Sequence, residues 1–479
     1  MKKNHHLFII FFITVALCLK ISAEIPSDFD LRNVNGTNKM TSVKSQSGGT
    51  CWTFGTMAAM ESNLKMTGNW TAENETGEPN LAEYHLDWWN GFNQNNNDDI
   101  SPPDGAGLEV HQGGDYLVAA AYMTRGDGAV RDSDGQSYSP APERASNTYH
   151  YFYPRHIEWL KDDDSLYNIG TIKKVIMERG AIGTCMYYGS GFYSGGTHYQ
   201  PPSDLNEPNH AIAIAGWDDN KVTQAPTNGA WLCKNSWGSG WNGDGYFWIS
   251  YYDKYCGKHP EMGAVSFKNV SRQLYKNIYY HDYHGWRDTF ISNTAFNVFY
   301  AKNNENLSAV SFYTATNNAE YLIKIYNSFT NGSLSGELIS QTGVFEFTGF
   351  HTVDLNMEIP LISGQQFCVF VEFSAGGQPY DRTSEIPVLL YDDKPELQPE
   401  FNFEEYLESI ENYAEKTTVE SSAKGGESYF WNGVEWIDFT NINSTANFCV
   451  KGLTIPIPEP GFYFLFIIYQ LLFISRIYR

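Results

Sequence analysis

The chain reads Gln46-Ser47-Gly48-Gly49-Thr50-Cys51-Trp52-Thr53-Phe54 where a glycine-rich turn meets a predicted helix. Apolar residues then recur at helical spacing, which predicts a helix over residues 52–66 that ends at Gly68. A helix N-terminus carries a partial positive charge and unsatisfied N–H groups, so it stabilises a thiolate placed there. Cys51 is therefore the candidate nucleophile.

Further polar residues complete a candidate catalytic set. His210 stands where a polar loop enters an apolar, strand-like run, and a thiol nucleophile needs such an imidazole as its base. Asn235 follows the next strand-like run, so its amide oxygen can accept from the His210 ring and fix its tautomer and angle. Trp237 is suited to shield that hydrogen bond from water. Gln46 and the backbone N–H of Cys51 are candidate donors to an oxyanion.

These residues resemble the papain-like cysteine peptidase family over about residues 25–270. The matching blocks are Asp28-Phe29-Asp30-Leu31-Arg32, Val43-Lys44-Ser45-Gln46, Cys51-Trp52-Thr53-Phe54, Asn209-His210-Ala211 and Lys234-Asn235-Ser236-Trp237-Gly238. The resemblance implies Cys51 as nucleophile and His210 as acid and base. It also implies Asn235 as the residue that orients His210, and Gln46 as an oxyanion donor. It implies no cofactor and no metal in the reaction.

Two features depart from the family pattern. Gly48 stands three residues before Cys51, where the family usually carries a cysteine. The corresponding structural disulfide is therefore expected to be absent. Gln46 lies five residues before Cys51, where the family usually has six, so its side chain must reach through a shortened turn.

Hydrophobic periodicity divides the chain into two parts. Helical patterns, including one over residues 168–179, precede strand-like runs in the first part, as a papain-like peptidase with a helical half and a β half requires. In the second part, short apolar and aromatic runs recur between turns, such as Thr294–Tyr300 and Gln366–Phe373. That spacing predicts an antiparallel β-sandwich.

The expected fold class is therefore α+β. We predict a papain-like peptidase domain over residues 24–270 and a β-sandwich domain over residues 271–455. The β-rich second part resembles the lectin-like domain that follows certain bacterial and archaeal papain-like peptidases. That resemblance implies a cell-surface glycan as a second partner.

Both ends of the chain are typical of targeting signals. Residues 1–23 combine two lysines, an apolar run and a small-residue exit, which predicts a secretory signal peptide. An N-terminal membrane anchor is the alternative. Residues 456–479 contain Pro458-Glu459-Pro460, a short apolar helix and a basic terminus, and resemble the bacterial PEP-CTERM sorting signal. The resemblance implies an exosortase-type sorting enzyme as partner, and membrane contact through the tail before processing. A plain tail anchor is the alternative.

Composition excludes several classes of function. The formal net charge of -23 argues against a nucleic-acid-binding surface, which needs clustered lysine and arginine. The cysteines after Cys18 are scattered without a CxxC pair, so neither a zinc knuckle nor a thioredoxin motif is expected. Cys368 and Cys449 are candidates for a bridge in the second domain. We interpret His281-Asp282-Tyr283-His284 as interdomain packing in preference to a metal site.

The resulting hypothesis is an exported cysteine endopeptidase, extracellular or at the cell surface, that hydrolyses protein or peptide bonds through an acyl-enzyme. One alternative is a non-catalytic surface adhesin or glycan-binding protein on a papain-like scaffold. A second alternative is an acyl transferase, in which an amine replaces water in the last step.

Overall fold

A computed structural model describes residues 24–93, 96–101, 107–160, 168–189, 191–387 and 416–457. The signal-peptide prediction, nearly all of the sorting-signal prediction and a helical pattern at residues 403–413 lie outside the described residues. All the described α-helices belong to the first half of the chain: α1 (Cys51–Thr67), α2 (Asn69–Ala72), α3 (Glu83–Trp89), α4 (Tyr116–Arg125), α5 (Asp132–Gly135) and α6 (Asn168–Arg179).

The described part of the first half also contains nine strands: β1 (Asp28–Asp30), β2 (Phe152–Trp159), β3 (Ile182–Met186), β4 (Tyr193–Ser194), β5 (Thr197–His198), β6 (His210–Asp218), β7 (Ala230–Lys234), β8 (Tyr246–Ser250) and β9 (Val265–Arg272). The described part of the second half is built of strands: β10 (Asn277–Tyr279), β11 (Asp288–Phe290), β12 (Thr294–Tyr300), β13 (Glu305–Thr314), β14 (Ala319–Thr330), β15 (Ser333–Phe345), β16 (Thr348–Leu361), β17 (Gln366–Phe373), β18 (Gln378–Asp381), β19 (Ser384–Pro387), β20 (Lys416–Val419), β21 (Ser428–Trp431), β22 (Trp436–Asp438), β23 (Asn447–Phe448) and β24 (Val450–Pro456).

Helix α1 is the central helix of the first half. Every residue from Cys51 to Leu64 is buried, which is typical of a helix enclosed on all sides. The helix ends as predicted at Gly68, whose φ of 76° is left-handed and whose N–H reaches the Leu64 carbonyl. It begins at Cys51, one residue before the predicted start, so the candidate nucleophile occupies the first helical position.

The second half is a sandwich of two antiparallel sheets. One sheet has the order β15-β14-β17-β12-β21-β22. The facing layer contains β10, β24, β13 and β16. Apolar side chains such as Phe312, Phe367 and Val371 fill the space between them. The predicted β-sandwich is therefore confirmed.

The two halves share one continuous sheet, which the sequence analysis did not anticipate. Strand β2 pairs on one side with β9 and on the other side with β16, so 13 strands from both halves join in a single sheet. We call the β2–β16 contact, with Thr348 opposite Trp159 and His351 opposite His156, the seam. Burial lowers the pKa of His156 to about 2 and that of His351 to about 3, so both imidazoles are uncharged.

Three further predictions concern the cysteines, His284 and membrane-spanning helices. All six cysteines that the structure describes are free thiols, so the expected bridge between Cys368 and Cys449 is wrong. His284 packs between the halves and reaches the Gly91 carbonyl through Nε2, at 3.1 Å. Within the described ranges, no helix is both long enough and apolar enough to cross a bilayer.

Candidate active site

Cys51 and His210 lie on two elements that cross closely. Helix α1 packs on β6, and Gly55 faces the strand so tightly that a Cβ there would lie 3.4 Å from the Ile212 carbonyl oxygen. Cys51 is one helical turn back from this crossing, about 6 Å along the helix. His210 is two residues back along β6, about 7 Å. Each residue therefore lies close to this crossing along its own element, and both are buried.

The His210 ring is held by the residues that follow β7. Its Nε2 lies 2.8 Å from the Asn235 amide oxygen, which also accepts the Ser236 N–H at 2.8 Å. The Trp237 ring stacks on the imidazole, with ring centroids 4.5 Å apart. Burial lowers the pKa of His210 to about 4, although the hydrogen bond to Asn235 opposes this shift. The ring is therefore fixed, covered and uncharged.

Gln46 is anchored on the same segment. Its side-chain oxygen accepts the Ser236 hydroxyl at 2.6 Å, and its Nε2 donates to the Gly48 carbonyl at 3.0 Å. Its backbone N–H donates to the Ser236 carbonyl at 2.7 Å. The shortened turn thus keeps Gln46 buried beside the start of α1. Sequence reasoning missed Ser236, although this residue lies inside a block that carries the family resemblance.

A cluster around His111 supports the turn before Cys51. The His111 carbonyl accepts the Gly49 N–H at 2.7 Å. A Cβ on Gly48, whose φ is +66°, would lie 3.0 Å from that carbonyl oxygen and 3.1 Å from the Tyr138 hydroxyl. His111 itself bonds to the buried Asp87 carboxylate through its ring Nδ1, at 2.5 Å. We call Asp87, His111 and Tyr138 the turn brace; the turn packs against it where the family usually has a disulfide cysteine.

Buried charges lie on the inner side of the site. Lys44 binds Glu61 at 2.8 Å and Glu83 at 2.5 Å, while Lys234 donates to Thr41 at 3.0 Å. Burial raises the pKa of Glu83 to about 7 and lowers that of Lys234 to about 8. Lys44 and Lys234 both lie in sequence blocks that match the family, and these blocks are the sequence feature from which the network of buried charges could have been predicted.

Comparison with known families agrees with this geometry. Residues 25–265 match the family described as papain family cysteine protease, and residues 278–403 match the lectin like domain. Since the first match spans half of the chain, the protein belongs to the papain family of cysteine proteases. The predicted class, a papain-like cysteine peptidase followed by a lectin-like domain, is confirmed.

Individual relatives resemble one or both halves. Pro-cathepsin H of Bos taurus is 27% identical over 244 residues, which are 50% of this chain and 64% of that protein. The viral cathepsin of Adoxophyes honmai nucleopolyhedrovirus is 27% identical over 242 residues, 50% of this chain and 62% of that protein. The chain thus spans less than two thirds of the length of these relatives.

A solved structure shares the whole two-part fold. It contains the cysteine protease and lectin-like domains of Cwp84, a surface layer associated protein of Clostridium difficile. The TM-score is 0.66 at 24% sequence identity, with 90% of this chain and 89% of that chain covered. The expected α+β architecture, peptidase first and β-sandwich second, is therefore confirmed.

Proposed function

We propose that this protein is an exported cysteine endopeptidase in which Cys51 attacks the peptide carbonyl and His210 transfers the protons. The observation that carries the proposal is the 2.8 Å contact between His210 Nε2 and the Asn235 amide oxygen. That contact fixes the ring at the start of β6, the strand on which α1 packs, and Cys51 is the first residue of α1. An imidazole held by an amide oxygen at a cysteine-bearing helix start is the arrangement that thiol nucleophiles require.

The uncharged His210 ring suits the first proton transfer. It accepts the Cys51 thiol proton, and the resulting thiolate then stabilises the imidazolium across a short distance. The thiolate adds to the carbonyl carbon, and the negative charge that develops on oxygen receives hydrogen bonds from the Cys51 N–H and the Gln46 amide.

The remaining steps return the enzyme to its starting state. His210 donates its proton to the leaving amine as the C–N bond breaks, which leaves a thioester on Cys51. His210 then takes a proton from water, and the hydroxide attacks the thioester. The tetrahedral adduct releases the carboxylic acid, and Cys51 recovers its proton.

The location and the substrate follow the same proposal. A signal peptide at residues 1–23 and a sorting tail at residues 456–479 would deliver the peptidase outside the cytoplasm, with an exosortase-type enzyme processing the tail. Support for a cell-surface location comes from Cwp84, which shares the fold and is a surface layer associated protein. The substrate is a protein or peptide.

A glycan is the proposed second partner. A groove of about 730 Å³ lies where the two halves meet, and Tyr280, Tyr283 and Tyr300 line it together with Arg144 and Lys302. An exposed tyrosine ring such as that of Tyr300 offers a face for a sugar ring, whereas the Tyr283 ring is buried beneath Arg125. Charged side chains offer hydrogen bonds to sugar hydroxyls. Tyr300 is 61% exposed, as a stacking residue needs to be.

Labelling and cleavage assays test the catalytic proposal. We expect a thiol-directed epoxide to modify Cys51 selectively at pH 6–7, and Cys51→Ala to lower gelatin cleavage at least about a thousandfold. Cys368→Ser is the matched control, because this buried thiol lies in the β-sandwich; it should be labelled and should cleave like the wild type.

The rival functions give different results. A non-catalytic adhesin would show no cleavage and no labelling of Cys51 in the folded protein, which would refute the proposal. An acyl transferase would form amide products when an amine is added, and hydrolysis would be the minor reaction.

A further inference from the structure

Three buried side chains on adjacent strands converge in the seam. His156 and Glu158 project from β2, and His351 projects from the facing position of β16. One potential ligand atom from each lies within 4.8 Å of those of the other two. Their exposed fractions are 9%, 3% and 0%, respectively, so all three side chains are buried from bulk solvent. The cluster therefore joins the peptidase half to the lectin-like half at β2 and β16, the strand pair that connects the two halves in the described part of the large sheet.

The two imidazoles face each other with their Nδ1 atoms. His351 Nε2 lies 3.0 Å from the Phe347 carbonyl oxygen, which can only accept, so Nε2 carries the proton and Nδ1 carries a lone pair. His351 Nδ1 is 3.3 Å from His156 Nδ1, a long hydrogen bond in which His156 Nδ1 is the donor. Two nitrogens that each lie about 2.0–2.1 Å from a tetrahedral zinc ion are about 3.3–3.4 Å apart. The separation therefore fits two ligands of one ion.

The surrounding residues orient these ligands. A metal-bound histidine typically donates its second ring N–H to a backbone carbonyl, as His351 does to Phe347. Glu158 Oε1 is 3.9 Å from His351 Nδ1, and its Oε2 is held by Arg179. The Phe345 ring stacks on the His351 ring, with centroids 3.8 Å apart, and restricts its rotation.

The donor set and the local charge select the kind of ion. Two imidazole nitrogens and one carboxylate oxygen suit a divalent transition metal such as Zn²⁺, whereas Ca²⁺ and Mg²⁺ prefer sites built from oxygen alone. Arg179 and Lys268, which lies opposite His156 on β9, add positive charge nearby. These positive charges repel a cation, so the binding free energy must come from coordination of the ion by the two imidazole nitrogens.

We propose that His156, Glu158 and His351 form a binding site for Zn²⁺ or a similar divalent transition metal that links the peptidase half to the lectin-like half. The site is separate from Cys51 and takes no part in peptide hydrolysis. Its ligands come from β2 and β16, so the bound ion stabilises the pairing of these strands. Three protein ligands leave the fourth tetrahedral position to water.

Metal binding is tested in the full chain that carries Cys51→Ala, because a thiolate beside His210 would itself bind zinc. We expect one equivalent of Zn²⁺ after dialysis against chelator and reloading, and a rise of several degrees in the unfolding temperature. Titration with Co²⁺ should give the visible bands of a tetrahedral ion without the near-ultraviolet band of a thiolate ligand. Absence of stoichiometric binding, or a thiolate band, would overturn the proposal.

Variants identify the ligands. His351→Gln and His156→Gln should each weaken binding at least about 100-fold, since loss even of an outer hydrogen-bond partner costs 10–100-fold. Glu158→Gln keeps the shape of the side chain and should weaken binding less. The matched control is His284→Gln, which removes a buried histidine near Asp99 and Asp381. Loss of binding in His284→Gln with retention in His351→Gln would contradict the assignment.

These outcomes are independent of the catalytic proposal, on which the inference does not rest. In the chain with an intact Cys51, His156→Gln should leave gelatin cleavage at the wild-type rate. If Cys51 proved inactive, stoichiometric metal binding at the seam would still stand.

Discussion

At the scale of single residues, Ser236 connects both sides of the candidate site. Its N–H donates to the Asn235 amide oxygen that also binds His210, and its hydroxyl donates to Gln46 at 2.6 Å. The Gln46 oxygen is thereby fixed, so the amide nitrogen faces the turn before Cys51. Ser236 touches neither the proposed nucleophile nor its base through its hydroxyl, and we class it as a positioning residue.

Ser236→Ala should lower kcat about tenfold, less than the 10²–10³ lost when an oxyanion donor is removed outright. KM should change little, since the Gln46 amide acts on the charge that develops in the transition state. Steady-state kinetics on a peptide substrate measure both. Ser250→Ala is the control, because this buried hydroxyl accepts the Tyr252 N–H away from Gln46. An equal loss of kcat in the two variants would contradict the assigned role.

At the scale of elements, the turn before α1 depends on the turn brace. Burial raises the pKa of Asp87, and the His111 ring opposes that shift by bonding to the carboxylate. His111→Ala should therefore lower the free energy of unfolding by about 2–3 kcal/mol, because it leaves a buried carboxylate without its strongest partner. Chemical denaturation measures this loss. In a double-mutant cycle, Asp87→Asn should cost much less in the His111→Ala background than alone; strictly additive costs would exclude the coupling.

The seam depends on a glycine in β16. Gly349 has a φ of +143°, and a Cβ there would lie 2.1 Å from the Ile157 carbonyl oxygen of β2. Gly349→Ala should destabilise the protein by about 2–4 kcal/mol, because a backbone atom of the paired strand must move. Gly332→Ala is the control: its φ of +74° is also positive, but nothing lies within 4 Å of the added Cβ. Denaturation midpoints of similar value for the two variants would show that the close approach is unimportant.

Individual elements show what the sequence could and could not predict. Helix α6 and strands β12 and β17 have the bounds that their patterns indicate. The helix has one apolar face, whereas each strand is a mainly apolar run that is buried on both faces. Strand β2 was missed, since Pro154, His156 and Glu158 interrupt its apolar pattern. His156 is buried against His351 of β16, 195 positions later in the chain, and Glu158 is buried against Arg179 of α6. Strand β15 was missed because it is a half-exposed edge strand.

The candidate site was predictable to a similar degree. Cys51, His210, Asn235 and Gln46 are recognisable from short local blocks, and the structure joins His210 to Asn235 and, through Ser236, Asn235 to Gln46. The turn brace was not predictable, because it joins three separate loops and helices through contacts that leave no local pattern. Gly48 gave the only signal, since the family usually has a cysteine at that place.

At the scale of the whole molecule, buried histidines set the response to acid. Burial lowers the pKa of His85 and of His210 to about 4 each, and that of His284 well below its ordinary value. The unfolded chain binds protons at these histidines near pH 6.5, whereas the folded chain binds them at His85 and His210 only near pH 4 and at His284 only well below pH 6.5. Stability contributed by these groups is therefore present above pH 6.5 and is lost as the pH falls toward 4.

His85→Gln tests this response. Between pH 7 and pH 4, the unfolding free energy of the wild type should fall by up to about 3 kcal/mol because of His85. The variant lacks this imidazole, so its unfolding free energy does not include that decrease. The difference in unfolding free energy between the wild type and His85→Gln should therefore decrease between pH 7 and pH 4. Tyr122→Phe removes the hydroxyl that contacts His85 Nδ1 but leaves the imidazole, so wild type and this variant should respond to pH in parallel. A difference in unfolding free energy that does not change with pH would show that His85 has the same pKa in the folded and unfolded protein.

The continuous sheet also determines what happens if the two halves are parted. Strand β2 lies between β9 and β16. Removing the second half would therefore leave β2 as an unpaired edge strand with unsatisfied N–H and C=O groups. An exposed edge strand of this kind can pair with strands of neighbouring molecules. We therefore expect the isolated peptidase fragment to form oligomers through this edge, whereas the intact chain keeps β2 covered by β16.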